Sequence, residues 1–196
     1  MQSLAPNPSA EHDAATLDLL FQLIAGAYRS PSEALHHDLS AGTFGAAIAA
    51  LADRLGLRSP RLETPSWATV QSSYADLFVS SGRGLTAPPY VGYAIDDELM
   101  GPSAQVLGAG FADHGIELKD DWNDLPDHVA AVAEGGLYLL GAGRAQPALE
   151  LLQGYLAPWF ERYASAIETN DASGFYGPVS RFLHHAIREV TRETRS

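Results

Sequence analysis

Apolar residues recur along this chain at steps of three and four. Trp67, Val70, Tyr74, Leu77 and Phe78 fall on one stripe, and Leu149, Leu152, Leu156, Trp159, Phe160, Tyr163 and Ile167 on a longer one. Phe175, Val179, Phe182, Leu183, Ile187 and Val190 form a third, and Phe44, Ile48, Leu51 and Leu55 a fourth. A period near 3.6 marks amphipathic helices and is incompatible with the two-residue alternation of a half-buried strand. Residues 16–28 (TLDLLFQLIAGAY) are apolar over so wide an arc that this helix is expected at the centre of the fold.

Start and stop signals agree with helices. Thr64-Pro65 and Asp124-Leu125-Pro126 place a capping side chain beside a proline, which a first helical turn tolerates because its missing N–H costs nothing there. Gly56 and Gly115 follow the ends of periodic runs, where a left-handed residue closes a helix. The pattern predicts helices near 12–29, 43–56, 65–80, 102–113, 125–142, 147–168 and 173–193, with a short turn at 32–39. No segment carries a strand pattern. The expected fold is all-α, a single compact bundle of about seven or eight helices, with residues 1–11 as a flexible N terminus and 12–196 as one helical domain. The long central loop from Ser80 to Asp97 (SSGRGLTAPPYVGYAIDD) is a candidate hinge, of a length that usually carries function.

Composition narrows the function classes. With 196 residues, 46% of them apolar, the chain buries a sizeable core without staples. It has no cysteine, which excludes disulfides, thiol catalysis and cysteine-based metal sites. Twenty-four acids against twelve bases leave a net charge of −12, which repels nucleic acid and draws cationic segments. The charge is concentrated. Residues 96–134 hold ten carboxylates against Lys119 alone, so nine of the twelve net negative charges fall in one fifth of the chain. Residues 1–16 lack the basic start and apolar run of a secretory signal, and no later window is long and apolar enough to span a bilayer. These features predict a cytoplasmic protein that does not insert in membranes.

Few residues suggest chemistry. There is no P-loop, and Gly82-Arg83-Gly84 follows a helix rather than a strand, reading as a turn. His36-His37 and His184-His185 are adjacent pairs that diverge by about 100° on a helix, so neither converges on a metal. Gly-x-Ser-x-Gly is absent. No catalytic residue, metal ligand or cofactor is therefore predicted. What remains is Pro126-Asp127-His128 and the aromatic-proline loop Ala87-Pro88-Pro89-Tyr90-Val91-Gly92-Tyr93. An acid in a first helical turn is favoured by the macrodipole alone. Tyr90 and Tyr93 serve equally as pins for a loop or as flat amphipathic surface for a bound peptide.

In their order along the chain these motifs resemble the TorD-like family of redox-enzyme maturation chaperones. Tyr74-Ala-Asp-Leu77-Phe78 is similar to that family's aromatic-x-x-Leu-Phe, and the Pro89-Tyr90 loop to its Pro-aromatic loop, followed by Leu99-Met100-Gly101-Pro102. Leu125-Pro126-Asp127-His128 resembles its Asp-His motif, and Leu156-Ala-Pro-Trp159-Phe160 with Gly174-Phe175-Tyr176 its C-terminal helices. Val91-Gly92 stands where the family commonly has Glu-Ser, and Val132-Ala133-Glu134-Gly135 where it tends to have Glu-Leu-Glu-Phe. Gly135-Gly136 permits close helix packing there.

The resemblance implies a chaperone that binds the N-terminal segment, often a twin-arginine signal, of an apo catalytic subunit. That client would be a molybdopterin oxidoreductase of the dimethyl-sulfoxide reductase type, held while its molybdenum cofactor is inserted. It further implies an apolar groove lined by Tyr74, Leu77, Phe78, Pro89, Tyr90 and Tyr93, with a rim of Asp127, His128 and Glu134 facing the client's guanidinium groups. A monomer and a helix-swapped dimer are both compatible with the long 80–97 link. Two further readings stay open: a helical hydrolase of nucleotides such as GTP, and a plain helical assembly subunit.

Overall fold

A computed structural model of the chain describes residues 8–63, 65–79, 86–119 and 122–193. Of the flexible N terminus expected over residues 1–11, residues 1–7 lie outside the described residues and 8–11 belong to the first helix instead; the Gly82-Arg83-Gly84 turn, Thr64 and two of the ten clustered acids (Asp120 and Asp121) also lie outside them. Among the described residues ten α-helices follow one another: α1 (Pro8–Tyr28), α2 (Glu33–Ala41), α3 (Thr43–Arg54), α4 (Trp67–Tyr74), α5 (Val91–Asp96), α6 (Pro102–Asp113), α7 (Val129–Gly141), α8 (Ala145–Leu151), α9 (Phe160–Asn170) and α10 (Tyr176–Glu193). Among the described residues there is no strand, only an isolated antiparallel bridge between Tyr90 and His128. The fold is all-α, as the periodicity predicts.

The central position of the 16–28 helix follows from its wide apolar arc. Leu20, Phe21, Ile24 and Ala27 of α1 are fully buried, and α1 packs against α3, α7, α8 and α10. Its closest partner is α7, where Gly136 removes the side chain that would hold the two helices apart, while the neighbouring Gly135 admits Phe111 of α6. A Cβ on Gly136 would lie 2.6 Å from the Phe21 ring, and one on Gly135 would lie 2.9 Å from Phe111. Near the end of α1 Tyr28 donates its hydroxyl to Ser180 Oγ of α10 at 2.7 Å. Its ring meets Phe78, Phe160 and Tyr163 at centroid distances of 5.4 to 5.9 Å. Gly42, Gly56 and Gly115 all have positive φ at helix ends, a conformation glycine adopts without steric cost.

Several elements differ from the pattern: residues Val91–Asp96 of the expected 80–97 loop form the short helix α5, and other boundaries move for physical reasons. The expected turn at 32–39 is a full helix, α2, capped by Ser32 Oγ accepting from Leu35 N. The expected 65–80 helix is capped by Ser66 instead of beginning at Pro65, and turns π-helical over Ala75–Val79. The predicted 147–168 helix is broken. Pro158 has no N–H to continue the helical ladder, and the chain widens to a π-turn over Leu152–Leu156, closed by Ala157 N donating to Leu152 O at 2.8 Å, before α9 begins. The predicted 125–142 helix starts four residues late, at Val129, because its would-be first turn is drawn into the bridge with Tyr90.

Candidate functional site

Pro89-Tyr90-Val91 runs extended against Asp127-His128-Val129. Val91 N donates to Asp127 O at 3.0 Å and Val129 N to Pro89 O at 2.8 Å. Asp127 adds a third link: its Oδ2 accepts from Gly92 N at 2.9 Å. Glycine at 92 is required on its other side, by the 98–101 turn, since a Cβ there would meet Glu98 O at 2.9 Å and Gly101 N at 3.0 Å. The aromatic-proline loop and the Asp-His turn, 35 residues apart in sequence, thus share one small hydrogen-bonded unit.

Asp127 is 0% exposed and its Oδ1 has no hydrogen-bond partner. Burial pushes its carboxyl up, against the lowering effect of the Gly92 N–H. His128 is 1% exposed and caps α7 by accepting from Ala130 N at Nδ1, 3.1 Å. Its neutral ring therefore carries its proton on Nε2, which lies 3.8 Å from Asp124 Oδ2. Burial lowers the His128 pKa to about 4, with Asp124 acting in the opposite sense.

The accessible carboxylate is Asp124, with a side chain 39% exposed. It accepts from Tyr90 OH at 2.9 Å and from Leu125 N at 2.7 Å. Around it the rings form a ladder. Tyr90 meets His128 edge-on at 5.6 Å, and Trp122 meets the same imidazole at 5.8 Å. The Arg29 guanidinium lies 5.4 Å from the Trp122 ring centroid and pairs with Glu134 at 2.7 Å.

The expected site residues therefore divide. Tyr90, Asp127 and His128 are brought together, and Glu134 joins them through Arg29 and Trp122. Tyr74, Leu77 and Phe78 do not line an open groove: they are 7%, 1% and 2% exposed and belong to the core, with Tyr74 donating its hydroxyl to Tyr28 O. Asp127 is not a rim carboxylate, because none of it reaches solvent. Pro89 is buried behind the bridge. Tyr93 faces a different hollow of about 530 Å³, beside Trp159 and Arg162. Asp124, Trp122 and Arg29 were not expected at the site. Asp124 carried only a capping signal in the sequence, and nothing local ties Arg29 to residues a hundred positions away. Among the described residues no group of histidines and carboxylates is placed to hold a metal, and no helix is long and apolar enough to cross a membrane.

The family model described as nitrate reductase delta subunit matches residues 37–165, which spans the whole site except Arg29. The chain belongs to that family, the TorD-like redox-enzyme maturation chaperones. A relative, the chaperone protein TorD of Vibrio cholerae serotype O1 (strain M66-2), is 23% identical over 141 residues, covering 63% of this chain. The match spans 64% of that relative's length. The fold is similar to a crystal structure of a candidate redox enzyme maturation protein from Archaeoglobus fulgidus, with a TM-score of 0.51, 16% identity, and 100% and 99% of the two chains covered. In this TorD-like chain the Asp-His motif thus has two distinct parts. Asp127 holds the Gly92 turn, and His128 caps α7 beneath Tyr90.

Proposed function

We propose that this chain is a cytoplasmic chaperone without turnover of its own. It binds the N-terminal segment of the apo catalytic subunit of a molybdopterin oxidoreductase of the dimethyl-sulfoxide reductase type, before that enzyme is exported or assembled. Occupying that segment keeps the client open for insertion of its molybdenum cofactor. The observation that carries this reading is the half-exposed Asp124 carboxylate. It is held by Tyr90 OH over a platform of His128 and Trp122, in the most acidic fifth of the chain. A carboxylate fixed beside flat rings suits a guanidinium, which forks onto the former and stacks on the latter.

The test is fluorescence anisotropy of the full chain with a labelled peptide bearing adjacent arginines before an apolar, helix-prone stretch. Asp124→Asn is expected to weaken binding by about tenfold or more at low salt, with the difference shrinking as salt rises. Equal affinity of Asp124→Asn and the unaltered chain, together with equal binding of a peptide whose arginines are replaced by glutamine, overturns the reading.

A further inference from the structure

Glu134 and the face of Trp122 already hold a guanidinium, and it is the chain's own. Arg29 follows the last residue of α1, and its side chain is 42% exposed, so burial does not compel its position. It pairs with Glu134 at 2.7 Å and lies 5.4 Å from the Trp122 centroid, and the Glu134 side chain is itself 30% exposed. Arg29 and Glu134 also stand between two hollows. One, of about 500 Å³, lies between α1, α2 and α3 and is floored by Leu23, Leu35 and Phe44. The other, of about 110 Å³, is closed by Phe111, Trp122 and Tyr138. Both are bordered by Arg29 and Glu134. Swinging the guanidinium out would join them into one trough with a carboxylate at its middle and apolar walls at either end.

We propose that Glu134 and Trp122 form a second guanidinium site that Arg29 occupies as an internal stand-in, and that an arginine of a bound polypeptide displaces it. The identity of that polypeptide as the client segment rests on the function proposed above; the guanidinium site does not. An exposed ion pair and a half-exposed cation–π contact are each weak, so an incoming arginine competes with a resident that is easily moved. Displacement would add this trough to the surface around Asp124, to which the edge-on Tyr90–His128–Trp122 rings connect it.

The test uses the full chain labelled with ¹⁵N, in which three tryptophans give three indole signals. The probe is N-acetyl-arginine methylamide, added to the unaltered chain, to Arg29→Gln and to Arg29→Gln/Glu134→Gln. In Arg29→Gln the Trp122 indole signal is expected to saturate at about tenfold lower probe concentration than in the unaltered chain. The double variant is expected to lose that gain, and N-acetyl-lysine methylamide to give a weaker response throughout. A Trp122 response identical in the unaltered chain and Arg29→Gln overturns the proposal, as does a double variant that responds like Arg29→Gln. The arginine peptide is then titrated into the same proteins. Tighter binding to Arg29→Gln extends the proposal to the client, whereas probe binding without peptide binding leaves the guanidinium site and removes the client reading alone.

Discussion

Lowering the pH should loosen this protein through one histidine. His128 Nδ1 accepts from Ala130 N, so protonating that nitrogen would set two N–H donors against each other at the start of α7. Burial adds to the cost, and the resulting pKa of about 4 lies well below the ordinary histidine value of 6.5. The unfolded chain therefore takes up the proton first. Between pH 6.5 and about 4 it binds more protons than the folded chain, and stability falls as the pH falls. The whole shift amounts to about 3 kcal/mol at roughly 1.4 kcal/mol per pKa unit, of which about 2 kcal/mol should be lost between pH 7.5 and 5.

Asp127 acts in the opposite direction, because its folded carboxyl is raised and protonation there favours the fold as the pH drops through that value. The two effects separate in a variant. His128→Asn keeps a side-chain oxygen for the Ala130 N–H, asparagine being among the best N-caps, and carries no titrating ring. Urea unfolding followed by circular dichroism at pH 7.5, 6.5, 5.5 and 5 should give a declining series for the unaltered chain and a flatter one for His128→Asn. Parallel series would refute the reasoning and move the acid sensitivity elsewhere in the molecule.

Three other outcomes follow from the packing. Gly136→Ala gains about 1 kcal/mol of helix propensity but forces a methyl into the fully buried Phe21 ring, at a cost of about 1–3 kcal/mol; urea unfolding should show net loss, while Gly110→Ala, which meets nothing within 4 Å, should show a gain. Phe78→Ala should cost about 3–5 kcal/mol in the same assay, as for a core ring, so any loss of peptide binding by that variant reflects folding. Tyr28→Phe strands the buried Ser180 hydroxyl and should cost about 1–3 kcal/mol, with Tyr28→Phe/Ser180→Ala recovering part of it in a double-mutant cycle.

The legible parts of the molecule were those written in local periodicity. The stripes of α3, α4, α9 and α10, the breadth of α1 and the glycine ends at 56 and 115 depend on side chains three or four positions apart, and a sequence displays such spacings directly. The start of α7 was hidden because its cause lies at Pro89, whose carbonyl takes the Val129 N–H. The break before α9 was present in the sequence as Pro158, masked by an apolar stripe that continues across it. Tyr74, Leu77 and Phe78 show the converse difficulty. A stripe that lines a groove and one that faces the core have the same spacing, and only the neighbouring helices decide between them.

The same reasoning explains why two acids three positions apart have separate duties. A carboxylate can attract an incoming cation only if it reaches solvent and its charge is not already compensated. Asp127 fails the first condition: it is 0% exposed, and its one hydrogen-bonded oxygen holds Gly92. Glu134 reaches solvent but is paired with Arg29, so it meets an incoming guanidinium only once that resident is displaced. Asp124 meets both conditions, because its partners are a neutral tyrosine hydroxyl and a backbone N–H, and the nearest imidazole is held in its neutral form down to a pH of about 4. Keeping His128 uncharged is thus part of the electrostatics of the site as well as of the cap on α7. A protonated imidazole 3.8 Å from Asp124 would compete for the charge that an arginine is proposed to meet. Peptide affinity should accordingly hold nearly constant from pH 7.5 to 5.5, and a binding curve that instead falls tenfold over that range would mean that His128 titrates as an exposed histidine does.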